Sequence, residues 1–264
     1  MAQVINTNTF SINAQRHLNK NSSSLSTSIE RLSSGLRVNS SKDDAAGLAV
    51  ASRMEADARG LTVALRNASD GMSFAQTADS ALGTVGEILQ RMRELTTQSL
   101  NGTISDTERG YLNNEYSQLA TQITDLQGAA KLNNMSVFSS FTFQVGASAS
   151  DTLSATFSSV SVTAGSIGTS SGAATALTAL DTAISSVSSN RSTIGATMGA
   201  LEYRMQQIEA ARENQYSARS RIMDADFAVE TSNLTRTQIL QQSGTAMVAQ
   251  ANSIPQNVLT LLRG

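Results

Sequence analysis

Between Leu177 and Ile208 the side chains Leu177, Leu180, Ile184, Val187, Arg191, Ile194, Met198, Leu201, Met205 and Ile208 recur every three or four residues, with Arg191 the one polar member. Only an α-helix gathers such a series on one side, because 3.6 residues per turn stack positions i, i+3, i+4 and i+7. At 1.5 Å rise per residue the series spans about 45 Å, more than a compact domain of this size needs. The spacing therefore predicts long helices packed side by side in a rod, and it leaves little chain to wall a catalytic pocket.

Upstream, Leu61, Leu65, Ala68, Met72 and Ala75 form one register, and Phe74, Ala78, Ala81, Val85, Ile88, Met92 and Leu95 form another. Two registers on one helix predict contact with more than one neighbour. Ser41 is placed as the N-cap of this helix, with Asp44 at its third position. Asn101 and Gly102 end it, Ser105 and Glu108 form a capping box, and Leu112, Tyr116, Leu119, Ile123 and Leu126 line a helix that runs back antiparallel.

From Leu132 to Leu180 the only charged residue is Asp151. Phe141, Phe143 and Val145 alternate, as do Leu153, Ala155 and Phe157, which predicts a β-hairpin near residues 137–163 turning through 146–150. Val160 and Val162 resume with shifted parity, which predicts a bulge. Both ends carry narrower helical stripes: Leu18, Leu25, Ile29, Leu32 and Leu36 in the first, and Leu234, Leu240, Met247, Val248, Val258, Leu259 and Leu262 in the last. Such helices gain most of their stability from a partner. The fold class that results is mainly α, a long antiparallel helical bundle or coiled coil with a small β-hairpin region.

Chemistry finds little purchase. The chain has no cysteine and one histidine, His17, so a His/Cys metal site has too few ligands, and neither cofactor nor catalytic residue is expected. Asp224, Asp226 and Glu230 lack the dense oxygen spacing of a calcium loop and read as a charged helix face beside Arg219 and Arg221. A net charge of −2 argues against general nucleic-acid binding, and no apolar run is long enough for membrane insertion. No secretory signal peptide is read at the N-terminus, so export by another route is expected. Arg91, Arg93 and Glu94 flank Met92 and Leu95 as a solvated face.

The stretches MAQVINTN at 1–8, SSLSTSIERLSSGLRVNSSKDDAAGLAVASRM at 23–54 and LRNASDGMSFAQTADSALGTVGEILQRMRELTTQS at 65–99 resemble bacterial flagellin, the subunit of the flagellar filament. So does ARSRIMDADFAVETSNLTRTQILQQSGTAMVAQANSIPQNVLTLLR at 218–263. The chain looks like a short flagellin without large outer domains. The resemblance implies an inner helical assembly domain made of residues 1–43 and 223–264, and a helical rod domain at 44–222. It implies terminal segments that order on polymerisation, with the apolar residues of both stripes as assembly contacts. Implied partners are further copies of the chain, hook-associated junction and cap proteins, an export chaperone and the type III export apparatus. LQRMREL at 89–95 resembles the motif bound by the animal flagellin-sensing Toll-like receptor, which implies Gln90, Arg91, Arg93, Glu94, Leu95, Gln98 and Glu115 as receptor contacts. The alternative is the hook–filament junction protein, which shares this terminal organisation.

Overall fold

The computed structural model describes residues 7–162 and 165–263, with the side chains of 254–263 left undescribed. Its elements are α1 (Thr9–Ser34), α2 (Ala45–Ser99), α3 (Asp106–Ala129), β1 (Lys131–Leu132), β2 (Met135–Ser136), β3 (Ser140–Gln144), β4 (Thr152–Thr156), α4 (Ser170–Met223) and α5 (Phe227–Arg263). Long helices with small antiparallel ribbons agree with the expected class. Two compact units result, one of Met1–Ala56 with Gln215–Gly264 and one of Asp57–Asn214.

In the second unit α2 buries the line Ala64, Ala68, Gly71, Ala75, Ala78, Leu82, Val85, Leu89, Met92, Thr96 and Ser99, with Ala58 and Leu95 also buried. Spacings of four and three alternate without a break, so the two registers seen in the sequence converge on one seven-residue repeat, flanked by Phe74 and Ile88. On α4 the buried line is Ala173, Ala176, Leu180, Ala183, Val187, Ile194, Leu201 and Ile208. Leu177 and Ile184 move to its flank, because alanines take the central positions and small side chains permit close approach. Arg191 is exposed and binds Asp79 through Nε at 2.8 Å and Nη2 at 3.2 Å. That pair, with Arg93 on Asp181 and Val187 beside Gly86, makes α2 and α4 antiparallel.

Helix α3 returns along α2, with Tyr116, Ala120 and Ile123 in the shared core. Its start has both halves of the capping box: Ser105 N–H and Oγ each donate to Glu108 Oε2 at 2.8 Å, and Glu108 N–H donates to Ser105 Oγ at 3.4 Å. The cap of α2 lies three residues beyond Ser41. Asp44 accepts the Gly47 N–H at 2.8 Å, while Asp43 is turned back to accept N–H groups of Asn39 and Ser40 at 3.2 and 2.9 Å. A run with several capping residues lets the loop geometry choose among them.

The hairpin pairs Phe141 with Ala155 and Phe143 with Leu153. Phe141 packs on Phe74 at 4.9 Å between centroids, and a Cβ at Gly71 would stand 3.1 Å from the Phe143 ring, so glycine lets the hairpin lie close to α2. The strand ends at Thr156, so Val160 and Val162 form no bulge. Gln127 on α3 replaces the missing strand partner: its Nε2 donates to Val160 O and its Oε1 accepts Val160 N–H, both at 2.9 Å. The β1–β2 ribbon, absent from the sequence reading, turns through Asn133 and Asn134 at φ 49° and 62°, a conformation asparagine tolerates.

In the first unit α1 stops at Gly35, whose φ of 71° suits glycine. The following turn is tied to the end of α4 by Arg37 N–H on Met223 O at 2.6 Å and Ala225 N–H on Gly35 O at 2.9 Å. Val38, Ala51 and Met223 close a small core there.

Candidate assembly and recognition surfaces

The terminal helices α1 and α5 pack antiparallel in the first unit, and their shared seam is built differently from the apolar core of the second. On α1 the inward positions are Ser11, Ala14, Leu18, Asn21, Leu25, Ser28 and Leu32, and on α5 they include Glu230, Leu234, Thr237, Gly244, Val248 and Ala251. Polar side chains set the register. Asn8 caps α1 through the Ser11 N–H and donates its Nδ2 to Ala251 O at 2.8 Å. Ser11 Oγ meets Asn252 Oδ1 at 2.7 Å, and Asn21 Nδ2 donates to Thr237 O at 2.8 Å. At the far end Arg31 faces Glu230 at 3.9 Å. Asp226 serves as a cap, its Oδ1 accepting Ala228 N–H at 2.9 Å. Of the three carboxylates that read as one charged face, Asp226 is thus a cap, Glu230 a largely buried ion-pair partner and Asp224 exposed, and no acidic or histidine cluster able to hold a metal occurs among the described residues.

The apolar residues expected at assembly contacts separate into two groups. Leu18, Leu25, Leu32, Leu36, Leu234 and Val248 are half-buried, whereas Ile29, Leu240 and Met247 are more than half exposed. Val258, Leu259 and Leu262 lie outside the residues whose side chains are described. Phe10, Ile12, Phe227, Val229 and Ile239, passed over in the sequence reading, are also exposed, at 56–60%. The signal for them was the apolar surplus of each terminal helix beyond a single stripe. Phe10, Leu240 and Met247 border a groove of about 610 Å³ between α1 and α5 whose walls include Leu18, Gly244 and Ala251. Large apolar side chains are thus left in water on two adjoining helices.

A second surface, of opposite character, lies on α2 and α3. Arg91 donates Nε and Nη2 to Glu115 Oε1 at 3.1 and 2.9 Å, and Nη1 to Glu94 Oε2 at 3.1 Å. The Glu115 and Glu94 carboxylates hold the guanidinium still more firmly protonated than usual. Arg93 turns to the other side and donates to Asp181 on α4 at 2.7 Å. Gln90, Gln98, Glu94 and Arg93 border a shallow depression with Asp181. Leu95 does not share this surface: at 1% exposure it is a core residue, and it supports the polar face from beneath rather than offering it a contact.

Residues 5–142 match the bacterial flagellin N-terminal helical region, and residues 177–262 match the bacterial flagellin C-terminal helical region. The chain is 40% identical to a flagellin of Xenorhabdus nematophila over 313 aligned positions covering 100% of both proteins. It is 40% identical to a flagellin of Halalkalibacterium halodurans over 98% of this chain and 100% of that one. A flagellar filament 33 kDa core protein of Treponema phagedenis is 38% identical over 98% of this chain and its own full length. Both terminal regions and nearly the whole length are thus shared, and the chain belongs to the bacterial flagellin family.

Proposed function

We infer that this chain is a structural subunit of the bacterial flagellar filament, secreted and polymerised with copies of itself into a hollow helical tube that serves motility. Both flagellin regions match, which supports the filament subunit over the hook–filament junction protein. The observation that carries the mechanism is the exposed apolar surface of α1 and α5, which pack on each other through half-buried leucines and a few polar contacts that set their register. Covering that surface with another copy removes apolar area from water at roughly 25 cal/mol per Å², which offsets the entropy of ordering the terminal segments. Subunits add head to tail, since a heterologous contact that does not close extends as a helix.

In this reading residues 1–43 and 223–264 form the assembly domain, and residues 44–222 form a helical domain that includes the hairpin. Ile29, Leu240 and Met247 meet other subunits, Leu18, Leu25, Leu32, Leu234 and Val248 hold the two terminal helices together, and Leu36 packs on the small core of Val38, Ala51 and Met223. Val258, Leu259 and Leu262 complete the C-terminal stripe, which an export chaperone shields before passage through the type III apparatus. Junction and cap proteins engage the same terminal helices at the filament ends. Purified full-length chain is expected to form long tubes visible by electron microscopy, and a chain lacking residues 223–264 to stay soluble and monomeric; tubes from the truncated chain would refute the assignment.

The exposed ion-pair network supports a second role for the free subunit as a ligand of the flagellin-sensing Toll-like receptor. Gln90, Arg91, Arg93, Glu94, Gln98 and Glu115 offer directed polar groups, and Arg91, whose Nε and Nη2 both converge on Glu115 Oε1, is the natural anchor. Arg91→Ala should weaken receptor binding at least about tenfold; an unchanged affinity in direct titration would remove Arg91 from the contact.

A further inference from the structure

Nine methionines occur in the chain. Among those described, Met92 and Met223 are buried, Met54, Met72, Met198 and Met205 are half-buried, and Met135 and Met247 stand exposed at 52% and 61%. The two exposed thioethers have different surroundings. Met135 sits on the two-residue strand β2 beside a tight turn, whereas Met247 borders the apolar groove of α1 and α5 with Phe10, Leu18 and Leu240. One turn away a Cβ at Gly244 would lie 3.0 Å from Leu18, so the helices touch there while Met247 stays accessible at the groove. A thioether is apolar, polarizable and adaptable, which suits it to burial against another subunit; its sulfoxide is polar and does not.

We propose that Met247 is a redox-sensitive site controlling filament growth, at which oxidation by a peroxide in the free subunit prevents a second copy of the chain from covering the α1–α5 groove. This rests on the reading of the terminal helices as the assembly surface. One peroxide oxygen is transferred to Met247 Sδ: the O–O bond breaks, an S–O bond forms, sulfur gives up two electrons, and hydrogen peroxide leaves as water. Once a neighbour covers the groove, peroxide no longer reaches the sulfur. The free subunit is therefore vulnerable and the assembled one protected.

The test treats purified full-length chain with hydrogen peroxide, reads sulfoxide at each methionine by peptide mass spectrometry, and follows polymerisation by sedimentation. Treated subunits should need at least about tenfold more protein to polymerise, the consequence of losing one buried apolar side chain. Methionine sulfoxide reductase should reverse the effect. Met247→Leu removes the oxidisable sulfur, so the protein concentration it needs to polymerise should be the same before and after treatment, while Met247→Gln should behave without peroxide as the oxidised chain does. Sulfoxide at Met247 with unchanged polymerisation, or an equal loss in Met247→Leu, would overturn the redox proposal alone. Failure of the untreated chain to form filaments would overturn the assembly reading and this proposal together.

Discussion

Gln127 does with one side chain what a neighbouring strand does elsewhere. Its amide takes both the N–H and the C=O of Val160, and all four atoms are withdrawn from water. Gln127→Leu would leave two buried backbone groups without partners, each costing about 1–3 kcal/mol. A loss of at least about 2 kcal/mol in urea denaturation is expected; a loss under about half a kilocalorie, as for an ordinary surface change, would show that the clamp is dispensable. Nothing in the sequence announced this role beyond spacing: Gln127 follows Tyr116, Ala120 and Ile123 on the buried side of α3. Asn113 and Ser99 act likewise at Ile167, Asn113 Oδ1 accepting its N–H at 2.8 Å and Ser99 Oγ donating to its carbonyl at 2.6 Å. The Arg91 network was partly legible, since residue types at helical spacing indicate a charged face but not which arginine turns toward α3 and which toward α4.

Among the elements, α3 shows how a local signal survives folding intact. Its capping box was readable because Ser105 and Glu108 satisfy each other's backbone within four residues, without help from distant parts of the chain. Hydrogen bonds from the Ser105 N–H and hydroxyl hold the Glu108 carboxyl below the ordinary glutamate value of 4.5. A carboxyl lowered in the folded state stabilises it above the unfolded value, and the contribution is lost as pH falls through the lowered one. Ser105→Ala should therefore cost about 1 kcal/mol at neutral pH, and the gap from the parent chain should narrow below pH 4.5 as Glu108 takes up a proton. A gap constant from neutrality to strongly acid pH, measured by denaturant unfolding, would contradict this. On α4 the hydroxyls of Thr175, Thr178, Thr182, Ser185, Ser186, Thr193 and Thr197 donate to the carbonyl four residues back. An exposed face whose hydroxyls are already satisfied loses less on being covered by another subunit.

At the scale of the whole molecule, the two units are held by different chemistry. The second buries a continuous apolar repeat with Leu82, Leu89, Met92, Leu180 and Leu201 inaccessible to water. The seam of α1 and α5 is interrupted by Ser11, Asn21, Ser28, Glu230 and Thr237, and it leaves large apolar side chains outside. Opening that seam exposes less apolar area, so it should open more often. In the free subunit, amides of α1 and α5 should exchange with deuterium at least about a hundredfold faster than those at the centre of α2, and they should become protected on polymerisation. Equal protection in the free subunit, or no gain in the filament, would count against coupled ordering and assembly.

Periodicity and capping, which act over a few residues, were enough to determine the long helices, the direction in which α3 returns and the hairpin. They are local because a helix face and a reciprocal cap are complete within one or two turns of chain. Tertiary structure decided which of several admissible stripes is buried. It drew Ala64, Ala176 and Ala183 into the seams in place of larger neighbours, brought Arg191 to Asp79, and gave Val160 a glutamine where a strand was expected. Such choices depend on how closely two distant segments can approach, a property of both surfaces together. The split of the terminal apolar residues into a half-buried set and an exposed one, with Met247 in the exposed set, was settled in the same way.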